Sequence, residues 1–187
     1  MTDKSGSVLW RRTDKAGHEF CELSERDGGA ALSGVAVFSE KDTPCRVAYE
    51  ITCDAAWRTL SCTITGNIDS KNVKVTIERD GDAWIVNGVP VPEVNGCEDI
   101  DLGFSPSTNL LPIRRLALKN GESARVRAAW VKFPELSVQL LEQKYTRRAD
   151  DKYHYESGGG TFRRELTVDD KGFVLEYPDT WYAESRS

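Results

Sequence analysis

A mainly β fold is predicted by three observations. Apolar and polar residues alternate over long runs, turn-forming residues cut those runs at short intervals, and a single segment carries a helical period. Val47, Tyr49, Ile51 and Cys53 fall on one side of a strand, with Arg46, Glu50 and Thr52 on the other. Leu60, Cys62 and Ile64 repeat the pattern, and Val73, Val75 and Ile77 alternate with Lys74, Thr76 and Glu78. A period of two describes strands with one face buried and one wetted. Asp27-Gly28-Gly29, Asp80-Gly81, Asn87-Gly88 and Asp170-Lys171-Gly172 separate successive runs. Gly and Asn accept a positive φ at low cost, so these are hairpin turns, and many strands joined by them make a meandering antiparallel sheet.

Two later strands look long. One runs over 124–133, with Val126, Ala128 and Trp130 at spacing two; the other runs over 137–148. Pro134 marks the corner between them, because proline donates no ladder hydrogen bond. In the second strand the phase changes at Leu140-Leu141, which suggests a bulge or burial on both faces. Ser157-Gly158-Gly159-Gly160 reads as a loop between strands. No linker or low-complexity segment divides the chain, so a single domain over 1–187 is expected.

The helix candidate is 108–119. Ser107 or Thr108 could cap it, Pro112 must lie in its first turn, and Asn120-Gly121 supplies the stop. At about 100° per residue its apolar positions sweep about 220° of the circumference, wider than the stripe of an ordinary surface helix. Arg114 falls inside that arc and Arg115 at its edge. A cation in such a place needs a partner, because an unpaired buried charge is very costly. Asp99 and Asp101, on a strand just upstream, and Asp54, at the end of another, are the candidate partners. Arg114 is therefore expected either to be braced by one of these three or to look into a pocket.

Composition narrows the function. The net charge of −5, with Lys and Arg scattered, excludes general nucleic-acid binding. Five cysteines, an odd number with no CxxC pair, support neither a zinc site nor a redox motif, and buried reduced thiols are expected. The first residues, Met-Thr-Asp-Lys-Ser-Gly-Ser, hold no apolar core of signal-peptide length, and no run approaches transmembrane length. A cytoplasmic location is the expectation. Neither His18 nor His154 has a nucleophile elbow beside it, and no phosphate loop or metal-spaced cluster is present, so no cofactor or metal is implied.

Several blocks together resemble a known family. They are Trp10-Arg11-Arg12, Tyr49-Glu50-Ile51-Thr52-Cys53-Asp54 with Trp57-Arg58-Thr59, and Gly96-Cys97-Glu98-Asp99-Ile100-Asp101-Leu102. Pro106, Thr108-Asn109 and Leu111-Pro112-Ile113-Arg114-Arg115-Leu116 follow, then Ala129-Trp130-Val131-Lys132-Phe133-Pro134 and Tyr177-Pro178 before Trp181. In this order they resemble the bacterial family named "Putative glycolipid-binding". The resemblance spans nearly the whole chain, and its specific part is 97–116. It implies a spiral β-roll: a long, many-stranded sheet curled around a single central helix, dimeric, and similar in shape to bacterial lipoprotein carriers. One departure is Leu110, where the family commonly has Thr, which makes the start of the helix more apolar. No catalytic residues come with the family.

Binding of a glycolipid or other amphipathic, lipid-like ligand is the favoured reading. Its candidate residues are Arg114, Arg115, Asp99, Asp101, Asp54, Trp57 and Arg58. Guanidinium groups suit anionic or vicinal oxygens, and Trp57 offers a flat face at a strand break. The alternatives are an enzyme acting on a small amphipathic substrate, with the aspartates as general acid or base, and a ligand-free homodimer formed by pairing of sheet edges.

Overall fold

The computed structural model describes residues 5–26 and 28–187. Asp27, part of one expected turn, and Met1 to Lys4 lie outside the described residues. The first half of the chain is one meander: β1 (Gly6–Arg12), β2 (Gly17–Arg26), β3 (Gly29–Glu40), β4 (Thr43–Asp54), β5 (Thr59–Ile68), β6 (Lys71–Asp80), β7 (Ala83–Val86) and β8 (Val89–Pro90). The second half contains β9 (Asp99–Leu102), α1 (Leu110–Leu116), β10 (Ser123–Lys132), β11 (Ser137–Ala149), β12 (Lys152–Ser157), β13 (Phe162–Val168), β14 (Val174–Tyr177) and β15 (Trp181–Arg186). Antiparallel pairing of β1 with β15 joins the halves into one 15-stranded sheet with the first and last strands at its middle. The mainly β, curled architecture expected from the sequence is the one observed.

Among the described residues a single strand pair breaks the antiparallel pattern. β9 runs parallel to β10. A parallel pair cannot be closed by a tight turn, so the chain must cross over between the two, and α1 lies in that crossover. The strands β8 and β9 are consecutive in sequence yet occupy opposite ends of the sheet order. The short segment between them fits because the sheet curls: the Thr59 amide donates to the Glu98 carbonyl at 2.9 Å, and Gly96 to Asp82 at 2.8 Å. The Ile100 amide meets Thr59 Oγ1 at 3.1 Å. The sheet curls without closing, and its β9–β10 end is tucked inside. Ile100, Leu102, Ala129 and Val131 therefore face the main core, while Val126 joins Ile113, Tyr145, Tyr155 and Leu166 in a second cluster.

The alternations hold in detail: Val47, Tyr49, Ile51 and Cys53 are all buried, as are Val75 and Ile77. All five cysteines are buried free thiols. Leu60 is a correction. It is 44% exposed, because a bulge aligns Thr52 with Ser61 but Cys53 with Thr59, leaving Leu60 as the extra residue. Thr59 takes the inward place and uses its hydroxyl on β9. The expected irregularity at Leu140-Leu141 is also corrected. Ladder pairing with β10 runs unbroken through both residues and Leu140 is 38% exposed. The shift lies instead between Arg147 and Ala149.

The helix is shorter than its apolar period indicated. A 3₁₀ turn, Ser107–Asn109, leads into α1, and Ala117 ends it in the left-handed conformation with φ 45°. Leu118 continues the helical spacing but is buried by the extended chain beyond that stop. Pro112 does lie in the first turn. Neither Ser107 nor Thr108 caps the helix, because both hydroxyls are used elsewhere: Thr108 Oγ1 accepts from the Leu102 amide at 3.1 Å and Ser107 Oγ pairs with Ser105 Oγ at 2.7 Å.

Candidate ligand-binding site

The seven residues singled out in the sequence separate into two groups. Arg115 forms a two-pronged pair with Asp99, Nη2 to Oδ2 at 2.6 Å and Nε to Oδ1 at 3.1 Å. Its remaining nitrogen donates to Glu98 Oε2 at 2.8 Å, and Arg58 takes Glu98 Oε1 at 2.7 Å. Asp99 is 1% exposed, and burial raises its carboxyl pKa even against the adjacent guanidinium. Asp54 turns the chain: its Oδ1 accepts from the Ala56 and Arg58 amides, both at 2.9 Å. Trp57 sits within that turn at φ 65°, a strained value for a bulky side chain.

Arg114 is braced, but by none of the three aspartates. Its Nη2 donates to Glu25 Oε1 at 2.7 Å, its Nη1 to the Lys171 carbonyl at 3.0 Å, and its guanidinium stacks 4.3 Å over the Trp57 ring. Glu25 lies on β2, remote in sequence from α1, and only the curl of the sheet brings the two together. Arg114 also borders a shallow hollow of about 280 Å³ beside Arg147, Asp150 and Asp169. Its cation is already satisfied there by carboxylate, carbonyl and indole. These six residues form struts between α1, the β4–β5 turn and β9.

Asp101 is different. It points from β9 into a cleft of about 500 Å³ on the inner side of the curled sheet. Trp130, Tyr155, Phe162, Tyr177 and Trp181 give this cleft aromatic walls, while Arg12, Ser105 and Asn109 supply polar groups. Asp101 Oδ2 accepts from Gln143 Nε2 at 2.6 Å. Burial pushes its carboxyl up to about 6, with the Gln143 bond pulling it back and the Asp99 charge adding to the rise. Asn109 is held by donating to the Tyr145 hydroxyl at 2.8 Å. Arg12 is held over the Trp181 ring at 4.7 Å and paired with Asp14 at 2.7 Å. Gly103 leaves the space that Trp130 occupies, since a Cβ there would lie 2.7 Å from the indole nitrogen.

Behind the Ser105 wall is a buried carboxyl. Glu19 is fully buried and accepts from Tyr49 Oη at 2.6 Å and Ser105 Oγ at 2.5 Å, while its Oε2 has no partner among the described residues. Burial pushes this group up to about 7, against the two hydrogen bonds and the nearby Arg12 charge. The sequence carried a signal for it: Glu19 shares the phase of Cys21 and Leu23, which are core positions. Arg12, Tyr177 and Trp181 lay in the blocks that carried the family resemblance, but nothing in their spacing tied them to Asp101. The histidines face solvent-side acids, His18 with Glu184 at 3.2 Å and His154 with Glu165. Among the described residues no group of His, Cys, Asp or Glu could hold a metal ion, and no helix is long and apolar enough to cross a membrane.

A family model described as "Putative glycolipid-binding" matches residues 7–183. The chain belongs to this family. Among solved structures, a DUF1089 family protein from Pseudomonas aeruginosa superposes with a TM-score of 0.74 at 32% sequence identity. The match covers 86% of this chain and 89% of that one. No curated protein matches. The glycolipid-binding family model begins within β1 and ends within β15, so it takes in both halves of the sheet and every residue of the cleft.

Proposed function

We propose that the aromatic cleft binds an amphipathic lipid bearing a sugar head, with Asp101 accepting from the sugar hydroxyls. One observation carries this reading: a carboxylate faces a cleft with aromatic walls and has, among the described residues, a single hydrogen-bond donor, from Gln143. Flat aromatic faces suit the apolar faces of sugars and acyl chains, and a few placed polar groups fix orientation. The volume of about 500 Å³ is within the range of small-molecule sites. Asn109 and Arg12 border the same space and add donors for sugar oxygens. The family name supports a glycolipid-like ligand. Of the seven residues read from the sequence, this proposal retains Asp101 in contact with ligand and gives the other six a structural part, as struts outside the cleft.

Titration of the purified protein with octyl glucoside below its micellar concentration, read by calorimetry, tests this reading. Saturable binding is expected, weakened on the order of tenfold by Asp101→Leu, which removes a charged hydrogen-bond acceptor. Equal affinity in the variant would remove Asp101 from the site. The homodimer that the resemblance implies belongs to the same proposal, and a monomer by sedimentation velocity at micromolar concentration would remove it.

A further inference from the structure

The cleft opens beside the turn between β12 and β13. This turn, Ser157-Gly158-Gly159-Gly160-Thr161-Phe162, has no charged side chain. Phe162 at its end is 36% exposed and Leu140 on neighbouring β11 is 38% exposed. On the other side of the turn lies a second hollow, of about 540 Å³, and Ser157 lines both. Its side chains include Arg125, Arg127, Lys144 and Arg163 against Glu142 and Glu156. Glu156 is shared between Lys144 at 3.4 Å and Arg163 at 3.3 Å. Among the described residues Arg125 has no ion-pair partner. This hollow is thus net basic on a chain whose net charge is −5.

We propose that the β12–β13 turn and the adjoining basic hollow dock this protein onto an anionic lipid bilayer, with the mouth of the cleft turned toward the lipid. The proposal rests on the reading of the cleft as a lipid site. Its own support is charge complementarity: an uncharged glycine tip with an exposed ring, flanked by a hollow in which four cations face two carboxylates, matches an anionic headgroup layer. Aromatic rings settle at the headgroup level, long basic side chains reach phosphates while their stems stay apolar, and each cation near such a surface adds attraction. Arg164, whose guanidinium lies 4.6 Å over the Phe162 ring, is paired with Asp179 at 3.4 Å and holds that ring in place at the tip.

Co-sedimentation of the full chain with vesicles tests this directly. Vesicles of equal parts phosphatidylglycerol and phosphatidylcholine are expected to bind the protein, with binding falling as salt is raised. Vesicles of phosphatidylcholine alone are expected to bind it weakly. Arg125→Gln and Lys144→Gln should each lower the binding constant by on the order of fivefold, and Phe162→Ser should lower it as well, with thermal unfolding showing that each variant is folded. Equal binding to both vesicle types, binding to neither, or undiminished binding of the folded charge variants would overturn the proposal. The octyl glucoside titration keeps the two readings apart. Charge variants that lose vesicles but keep the glucoside support docking, and vesicle binding without any glucoside binding supports docking while removing the sugar site.

Discussion

Glu19→Gln has the most informative expected effect on stability. The wild-type carboxyl sits at about 7 in the folded protein against an ordinary 4.5. At about 1.4 kcal/mol per pH unit of displacement, that difference amounts to roughly 3 kcal/mol. Because the folded state holds the proton to higher pH than the unfolded chain, the stabilising contribution is complete below about pH 4.5 and is lost as pH rises through about 7. The cause is a fully buried carboxyl whose Oε2 finds no partner. Glutamine has nearly the same shape, can still accept from Tyr49 and Ser105, and does not titrate. At pH 8 the variant is therefore expected to be more stable than wild type by about 1–3 kcal/mol, and at pH 4.5 to be equal or slightly weaker, having lost a charge-free acid for an amide. Urea unfolding followed by tryptophan fluorescence at several pH values measures this. If the wild-type and variant stabilities run parallel from pH 4.5 to 8, the buried, proton-holding Glu19 is wrong.

Three further expectations concern the struts and the cleft. Arg115→Ala leaves the Asp99 carboxylate buried without its two-pronged partner and should destabilise the fold by about 3–5 kcal/mol in urea unfolding; loss of less than about 1 kcal/mol would mean that the pair is not desolvated. Arg114→Gln removes the contacts to Glu25 and Trp57, both at partly exposed side chains, and should cost on the order of 1 kcal/mol while leaving octyl glucoside affinity unchanged in calorimetry. Gly34→Ala should displace Tyr49, because the added Cβ would overlap the Tyr49 hydroxyl; a lowered melting temperature in thermal unfolding is the readout, and an unchanged one would show that the ring can move freely.

The strands were legible because alternation is a local property that burial enforces residue by residue. Val47 to Cys53 and Val75 to Ile77 read correctly for that reason. Leu60 did not, because a bulge changes phase without changing composition. The helix was overread because Leu118 keeps the helical period although Ala117 has already turned left-handed. The need of Arg114 for a partner was legible, since an apolar arc cannot hold a free cation. The identity of that partner was not, because Glu25 reaches it only through the pairing order of the whole sheet. The same holds for the cleft: Arg12, Asp101, Tyr155 and Trp181 come from β1, β9, β12 and β15, and no spacing rule connects them.

The cleft itself can be probed through the indole N–H signals of the five tryptophans during an octyl glucoside titration by NMR. Trp130 and Trp181 line the cleft. Trp57 lies under Arg114, and the Trp10 and Trp84 indoles donate to the backbone carbonyls of Val174 at 2.6 Å and Cys97 at 3.1 Å. Saturable shifts of Trp130 and Trp181, with Trp10, Trp57 and Trp84 unmoved, are the expected result. Shifts at Trp57 with Trp130 and Trp181 unmoved would place the ligand at the Arg114 struts and contradict the account.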